Sequence, residues 1–285
     1  MRSFIILANK DKDANLNLSK HIVTYLQARG ADAVIITEEL CAQYEEDGSV
    51  HSTKIPKQLL QDAQACIVLG GDGTMLRAAH DLDSCQIPFV GVNLGTLGFL
   101  TEVEVSYLDE TLDRLIADDF QLEKRMMIEG AVRDNTFHAL NDIVITRAGF
   151  SRIIGLNIYV NDELLETYEA DGVIVATPTG STGYNLSAGG PIVSPKSKAI
   201  VVTPISPHSL TAKSVVFDST DCVRIEIVKK RKTQETEAIV SFDGANSIEL
   251  SAGDVVTARM SAREISLIKM YDVNFYKVLR DKIGG

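Results

Sequence analysis

One ten-residue stretch, residues 66–75, constrains this chain more than any other, and it reads CIVLGGDGTM. Its first four residues form a short apolar run bounded by glycine, a pattern typical of a buried strand. Gly70 and Gly71 allow the backbone to bend where side chains would clash, and Thr74 can cap a helix over the residues that follow. A strand, a glycine turn and a helix N-terminus together form a site suited to phosphate.

Asp72 is the unusual member of this turn, because a carboxylate repels phosphate. It has a use there if it accepts a proton from an acceptor hydroxyl, or if it contacts a metal ion held by the phosphates. The alternative interpretation is an ordinary turn, since Gly-Asp-Gly is favourable turn chemistry. The stretch itself leaves both interpretations open.

The composition indicates a globular chain with ample core, since 45% of its 285 residues are hydrophobic and 24% are charged. A formal net charge of -11 argues against nucleic acid and anionic membranes as main partners. No apolar run approaches a membrane span, and the apolar part of the first residues is too short for a signal peptide. The cysteines have no paired spacing, which predicts reduced thiols in the cytoplasm and no disulfide or zinc site.

Up to about residue 120, expected strands alternate with expected helices, which predicts a parallel, doubly wound sheet. Ligands of such sheets bind beyond the carboxyl ends of the strands. The GGDG turn and a second glycine-rich turn at residues 93–100 both fall there. Residues 41–53 are polar and are expected to form a loop, and Ser106 is expected to cap a helix with Asp109 three residues on. The strands expected in this half are 4–8, 33–37, 66–69 and 88–92.

After about residue 120 the apolar pattern changes to alternation, which predicts an all-β, sandwich-like region. Asn161 and Asp162 are expected to form a hairpin turn, and Phe275, Val278 and Leu279 form one face of a helix that returns to the first domain. The pattern predicts three segments: an α/β domain at 1–122, a β-sandwich at 123–268 and a helical tail at 269–285. The strands expected here are 126–132, 140–146, 153–160, 173–177, 199–203, 223–227, 238–242 and 255–260.

The second informative stretch is residues 171–191, which reads DGVIVATPTGSTGYNLSAGGP and includes an apolar strand. Thr179, Ser181 and Thr182 can hydrogen-bond a polar ligand, and Tyr184 can stack on a base or a ribose. The alternative is a long loop without a functional role. Long glycine-rich loops in compact domains are more often functional, so the sequence favours a binding loop.

Several single residues are ambiguous. The pair Asn141–Asp142 reads by itself as a cap at the start of a strand. Arg77 lies about one helical turn beyond Asp72, where it is either a phosphate-binding cation or a solvated helix residue, and Arg152 is equally ambiguous. His208 is a lone histidine and reads as structural. The sequence contains no Walker A motif, no G-x-S-x-G elbow and no H-E-x-x-H motif.

Taken together, Gly70-Gly-Asp-Gly-Thr74, the turn at 93–100, the pair Asn141–Asp142 and the run 171–191 resemble bacterial NAD kinase, in order and over nearly the whole chain. The resemblance implies an α/β N-terminal domain with a parallel sheet plus an all-β, sandwich-like C-terminal domain. It also implies transfer of the γ-phosphoryl group of ATP to the adenosine ribose 2′-hydroxyl of NAD, giving NADP, with Mg²⁺ or another divalent cation carried by ATP. The implied assembly is a homo-oligomer, a tetramer or a dimer, without nucleic acid or membrane partners.

The same resemblance implies a set of site residues. Asp72 corresponds to the catalytic carboxylate, and Asp142 stands where the family commonly has Glu. Glu169 replaces a basic residue linked in some members to a preference for NAD over NADH, and the sequence Asp243-Gly-Ala245 replaces one that often ends in Gln. The residues implied to contact substrates are Gly71, Asp72, Gly73, Arg77, Phe99, Asn141, Asp142, Arg152, Asp171, Thr182, Gly183, Tyr184, Asn185 and Ser187.

Two other functions compete with this interpretation. The GGDG turn recurs in lipid and sugar kinases of the same superfamily, but a lipid kinase has no need of the TPTGSTGYN loop. A non-catalytic dinucleotide sensor would keep the binding loop, but it has no use for a carboxylate at Asp72.

Overall fold

The computed structural model describes residues 1–43, 55–82, 86–148, 153–209, 211–229, 237–271 and 275–283. The chain divides into two compact units, one formed by Met1–Lys124 with Ile265–Gly285 and the other by Arg125–Glu264. No helix among these described residues has the length and apolarity needed to cross a membrane.

The helices are α1 (Asn17–Gln27), α2 (Glu38–Ala42), α3 (Lys57–Leu60), α4 (Asp72–Asp81), α5 (Leu108–Ile116), α6 (Tyr184–Ser187) and α7 (Phe275–Ile283). The strands are β1 (Ser3–Ala8), β2 (Asp32–Ile35), β3 (Ala65–Gly70), β4 (Phe89–Asn93), β5 (Val103–Glu104), β6 (Gln121–Val132), β7 (Asn135–Ala139), β8 (Asp142–Arg147), β9 (Ile154–Val160), β10 (Glu163–Ala170), β11 (Gly172–Ala176), β12 (Ala199–Ile205), β13 (Val215–Asp218), β14 (Val223–Val228), β15 (Glu237–Phe242), β16 (Ala245–Ser251) and β17 (Val255–Lys269).

The first unit contains the predicted parallel sheet, in the order β2-β1-β3-β4 with β5 beside β4. Every residue of β3 is buried, as expected for the central strand of a sheet that is covered on both faces. Ile22 and Leu26 of α1, spaced four apart, are fully buried in the same core cluster as Leu112 and Leu115 of α5. Each such side chain stabilises the fold by about 1.5–3 kcal/mol. The predicted α/β architecture is confirmed.

The C-terminal helix belongs to this first unit, as predicted. The ring centroids of Phe275 in α7 and Phe99 lie 5.6 Å apart, and Val278 is buried. The ring of Phe99, a candidate ligand contact, therefore packs partly against α7.

The second unit is an antiparallel β structure with two sheets. One sheet has the order β13-β12-β11-β8-β15-β16, and the other contains β10, β9, β14 and the start of β17. One core cluster takes Ile143 and Val173 from the first of these sheets and Leu156 and Ile225 from the second. The sheets therefore pack face to face, as predicted for a sandwich. The hairpin turn at Asn161 and Asp162 is also present, with both residues at positive φ.

Some local predictions were wrong. Cys41 and Ala42 end the short helix α2, which Thr37 caps by accepting the amide of Leu40 at 3.2 Å, so the polar run is not a loop there. Residues 44–54, the rest of that run, lie outside the described residues. Ser106 lies in a 3-10 turn before α5 and provides no side-chain cap.

Candidate active site

The first candidate site is built where three parallel strands of the first unit end. The amide of Asn9, just after β1, donates to Leu69 of β3 at 2.8 Å. The amide of Leu94, just after β4, donates to Gly70 of β3 at 2.8 Å. Because the carboxyl ends of adjacent parallel strands share one edge of the sheet, the turns after β1, β3 and β4 lie side by side, which is where such sheets bind ligands.

The GGDG turn passes directly into α4, so the helix begins at Asp72 and not after Thr74 as predicted. Thr74 still contributes to this end, since its hydroxyl accepts the amide of Gly71 at 3.4 Å. A Cβ on Gly70 would overlap the Thr74 side chain, so glycine is needed there for close approach, and its φ is not positive. Apart from its chain neighbours and the backbone of its own helix, no described residue has a heavy atom within 4 Å of the position that a Cβ would take on Gly73, so that side of the turn is open.

Asp72 is held by the second glycine-rich turn. Its Oδ2 accepts the amide of Phe99 at 2.8 Å, and its Oδ1 accepts the amide of Leu100 at 3.0 Å and the Thr101 hydroxyl at 3.4 Å. A Cβ on Gly98 would overlap the carboxylate, so glycine is required at this position. These three donors fix the direction of both oxygens and leave about one acceptor position free, because a carboxylate can accept about four hydrogen bonds.

Arg77 and Lys12 are among the cations of the first unit that have no hydrogen-bond or ion-pair partner within the described part of the chain. Arg77 is exposed on α4 and forms no hydrogen bond or ion pair there. Lys12, which we did not single out from the sequence, is exposed in the turn after β1 and also has no acceptor. Its ammonium lies 3.8 Å from the position of a Cβ on Gly71 and 3.2 Å from that on Gly95. Lys12 therefore places a positive charge next to both glycine turns.

The backbone around Lys12 is fixed on both sides. Its own amide donates to the carbonyl of Asn9 at 3.1 Å. The buried carboxylate of Asp13 accepts the amides of Leu18 and Ser19 at 2.8 and 3.0 Å and so attaches the turn to the start of α1. The one signal in the sequence was the position of this lysine in the short polar turn that follows β1, at the ligand-binding edge of the sheet.

The second candidate site, in the second unit, brings the Asn141–Asp142 pair together with the loop after β11. The amide of Thr177 donates to the carbonyl of Asn141 at 2.8 Å, and a Cβ on Gly180 would overlap that carbonyl. The position of a Cβ on Gly183 lies 3.4 Å from Asn141 Nδ2 and 3.9 Å from Asp142 Oδ2. The pair and the loop, which are distant in the sequence, thus form one polar surface.

Among the titratable side chains of this surface, Asp142 has the pKa that is shifted furthest from its ordinary value. It is 7% exposed, and none of the described residues donates a hydrogen bond to its carboxyl. Burial, and then the nearby negative charge of Asp243, raise the pKa of Asp142 to about 7. A carboxyl of this kind exchanges a proton near neutral pH and can donate or accept a hydrogen bond.

The remaining predicted residues of this unit differ in how far they are available to a ligand. Tyr184 is 44% exposed, and Ser187 is also exposed. Asn185 is fully buried, and its side chain bonds Ser181, Pro191 and Thr203 at 2.6–3.1 Å, so it holds the loop in shape.

Two further predicted residues have partners inside the unit, and a third cannot be placed. Thr182 donates to the carbonyl of Thr179 at 3.2 Å. Asp171 pairs with Arg147 at 2.7 Å, a partner that the sequence did not indicate. Arg152 lies outside the described residues.

The described residues contain no group of three or more His, Cys, Asp or Glu side chains that could hold a metal ion. The parallel sheet, the glycine turn at a helix N-terminus and the fixed carboxylate define a phosphate-binding enzyme of the α/β class.

Comparison with known proteins specifies the family. Residues 4–120 match the model of the ATP-NAD kinase N-terminal domain, and residues 140–270 match that of the ATP-NAD kinase C-terminal domain. The chain belongs to the ATP-NAD kinase family, and it is therefore a kinase.

Individual relatives agree with the family models. An NAD kinase of Lachnoclostridium phytofermentans is 46% identical over 291 residues, covering 100% of this chain and 99% of the relative. One from Agathobacter rectalis is 43% identical over 287 residues, with coverage of 100% and 99%. Among solved structures, yeast NADH kinase complexed with NADH superposes with a TM-score of 0.85 at 25% identity, covering 100% of this chain and 88% of that one. An NAD kinase from Archaeoglobus fulgidus has a TM-score of 0.79 at 24% identity, with coverage of 98% and 99%, and supports the fold.

Proposed function

We propose that this protein transfers the γ-phosphoryl group of ATP to the 2′-hydroxyl of the adenosine ribose of NAD, giving NADP and ADP. Family membership and the full-length NAD kinase relatives support the reaction. The observation that carries the proposal is the Asp72 carboxylate, which two backbone amides hold at the first turn of α4, beside the open side of Gly73.

In the proposed mechanism, Asp72 accepts the proton of the ribose hydroxyl as that oxygen bonds to the γ-phosphorus. The bond between the γ-phosphorus and the β–γ bridging oxygen breaks, and ADP leaves with the electron pair. Because phosphoryl transfer has a loose transition state, Asp72 contributes by orienting the hydroxyl as well as by taking its proton. Amides at the start of α4, Lys12 and Arg77 are placed to offset the charge of the phosphates in a chain whose net charge is -11.

The cation and the dinucleotide contacts complete the proposal. Mg²⁺ or another divalent cation is carried by ATP, where it would offset phosphate charge. Asn141, Asp142, Tyr184 and Ser187 supply the contacts to NAD, with the Tyr184 ring available to stack on the adenosine end. We further propose that the protein acts in the cytoplasm as a homo-oligomer, a tetramer or a dimer.

A direct assay tests the proposed function. The protein is incubated with Mg-ATP and NAD, or with NADH, and the NADP or NADPH formed is read with a dehydrogenase specific for that product. Formation of NADP at enzymatic rates is expected, and the NADH arm determines the redox preference that Glu169 leaves open. In a parallel incubation with Mg-ATP and a lipid or a sugar, phosphorylation of that acceptor together with no NADP formation from NAD would favour the superfamily alternative. Tight NAD binding without ATP consumption would favour a sensor.

Lys12→Met is expected to weaken the binding of Mg-ATP by about 10- to 100-fold, because a charge-assisted hydrogen bond contributes about 1.5–3 kcal/mol. Methionine keeps the unbranched shape of the side chain and removes only the charge. The affinity for NAD is expected to stay within about threefold of the wild type, which corresponds to a change of less than about 1 kcal/mol in the free energy of binding. Isothermal titration calorimetry with each substrate measures both values.

Lys10→Met is the matched control for this prediction. Lys10 lies two residues earlier in the same turn and forms an exposed ion pair with Glu38 at 3.1 Å. Exposed pairs of this kind contribute about 0–1 kcal/mol, so this variant should bind ATP normally. Equal losses in the two variants would indicate a general effect of charge and contradict a specific role for Lys12.

A further inference from the structure

Asp243 occupies the tight turn between β15 and β16. Asp243 has φ of 51° and the following Gly244 has φ of 71°, so both central residues of this two-residue turn are left-handed. Such turns strongly favour Asp-Gly, because Asp tolerates the left-handed region and glycine adopts it without strain. The backbone of this turn is attached to the candidate site, since the amide of Asp243 donates to the carbonyl of Asp142 at 3.0 Å.

The side chain of Asp243 binds the same segment from the other direction. Its Oδ2 accepts the amide of Leu140 at 2.6 Å, and its Oδ1 accepts the amides of Asn141 and Asp142 at 2.7 and 3.0 Å. One carboxylate therefore satisfies three consecutive backbone donors at the start of β8, through charge-assisted hydrogen bonds. Asparagine has a single acceptor oxygen, so it cannot replace all three.

The surroundings of Asp142 make Asp243 its dominant charged neighbour. β8 lies between β11 and β15 in the sheet. Neither β11 nor residues 177–183 contain a titratable side chain, and residues 238–242 of β15 contain none either. On β8 itself, Arg147 lies at the far end and pairs with Asp171. The negative charge that acts on Asp142 is that of Asp243.

We propose that Asp243 is a positioning residue, whose carboxylate holds the backbone of Asn141 and Asp142 in the conformation that binds the dinucleotide. This inference rests on the proposed function, because it assumes that the pair contacts NAD. It also gives a role to the sequence Asp243-Gly-Ala245. The aspartate acts by binding the backbone of other residues, whereas the side chain of Ala245 offers no polar contact. A second consequence is that the charge of Asp243 adds to the larger effect of burial and helps to keep the Asp142 carboxyl partly protonated near neutral pH.

Asp243→Asn tests this inference, with Asp254→Asn as the matched control. Asp254 is also a turn carboxylate of the second unit, and it accepts the amide of Ser251 at 2.8 Å. In Asp243→Asn the affinity for NAD is expected to fall about 10- to 100-fold, since hydrogen bonds to a charged group are lost, while the affinity for Mg-ATP stays within about twofold. Asp254→Asn should leave both affinities unchanged.

Two further measurements separate positioning from a general structural role. The pH dependence of NAD affinity should have its midpoint near the pKa of Asp142, about 7, and should shift to lower pH in Asp243→Asn because the neighbouring charge is removed. Amide hydrogen exchange, measured without any ligand, should accelerate at residues 140–142 in Asp243→Asn and not in Asp254→Asn. If Asp243→Asn fails to fold, Asp243→Ser, which is smaller and keeps one acceptor, is measured in the same way.

The outcomes are distinct from those of the proposed function. If the wild type binds no NAD, the proposed function fails, and the exchange measurement still decides whether Asp243 holds the segment. If Asp243→Asn keeps the wild-type affinity for NAD, or weakens NAD and ATP equally, or leaves amide exchange at residues 140–142 unchanged, Asp243 is not a positioning residue. An unmoved pH midpoint would contradict the effect of its charge on the proton of Asp142.

Discussion

Asp72→Asn is expected to lower kcat by about 10²–10⁴-fold, the usual contribution of general base catalysis. A ribose hydroxyl is a poor nucleophile at neutral pH, and an amide cannot accept its proton. The substitution also replaces one acceptor oxygen by an NH₂ group, so one of the two amides of Phe99 and Leu100 loses its partner. The affinity for NAD should stay within about tenfold, because the loss of orientation is offset by reduced repulsion between the carboxylate and phosphates.

The measurement is a steady-state assay of NADP formation together with calorimetry for NAD. Asp81→Asn is a suitable control, since Asp81 ends the same helix at the opposite side from the glycine turn. Thermal unfolding of both variants shows whether the fold is kept. A kcat close to that of the wild type would exclude Asp72 as the base, and it would remove the main support for the catalytic interpretation of the GGDG turn.

The fold was largely predictable because its central strands carry apolar patterns that only burial explains. The strands that the sequence did not reveal include β10, β13 and β16, and each of these three lies at the edge of a sheet. Edge strands expose one side to water and tolerate polar or charged residues, as in ELLETYEA of β10. Their pattern therefore resembles that of loops, and only pairing with a neighbour identifies them.

The candidate sites were predictable where function is concentrated in a contiguous motif, as in the GGDG turn and the loop after β11. They were not predictable where a contact joins distant parts of the chain. Asp243 meets Leu140 across 103 residues of sequence. Lys12 is one of several charged residues in a polar turn. It differs from the others because its ammonium group lies beside the turns that follow β3 and β4. Long-range contacts of this kind follow from the fold and leave no local pattern.

Asp142→Asn is expected to stabilise the protein above pH 7 while weakening its binding of NAD. The pKa of Asp142 rises from 3.8 to about 7 on folding, so the folded state binds its proton more tightly than the unfolded state does. Between about pH 4 and pH 7 the folded protein therefore carries more protons, and its free energy of unfolding falls as the pH rises. The stability linked to this proton is fully present below pH 4 and is lost above pH 7. A shift of this size corresponds to a loss on the order of 4 kcal/mol.

Asparagine stays neutral at every pH and has nearly the shape of the protonated acid, so the variant should lack this dependence. Urea unfolding at pH 5 and pH 8 should show a smaller decrease in the free energy of unfolding for Asp142→Asn than for the wild type, with the two proteins closest at the lower pH. The exposed Asp62→Asn is a control that should unfold as the wild type does at both pH values. If the variant is more stable than the wild type but binds NAD less tightly, Asp142 contributes to binding while lowering the free energy of unfolding. If wild type and variant show the same dependence on pH, the carboxyl of Asp142 is ionised across this range, and burial beside Asp243 does not control its proton.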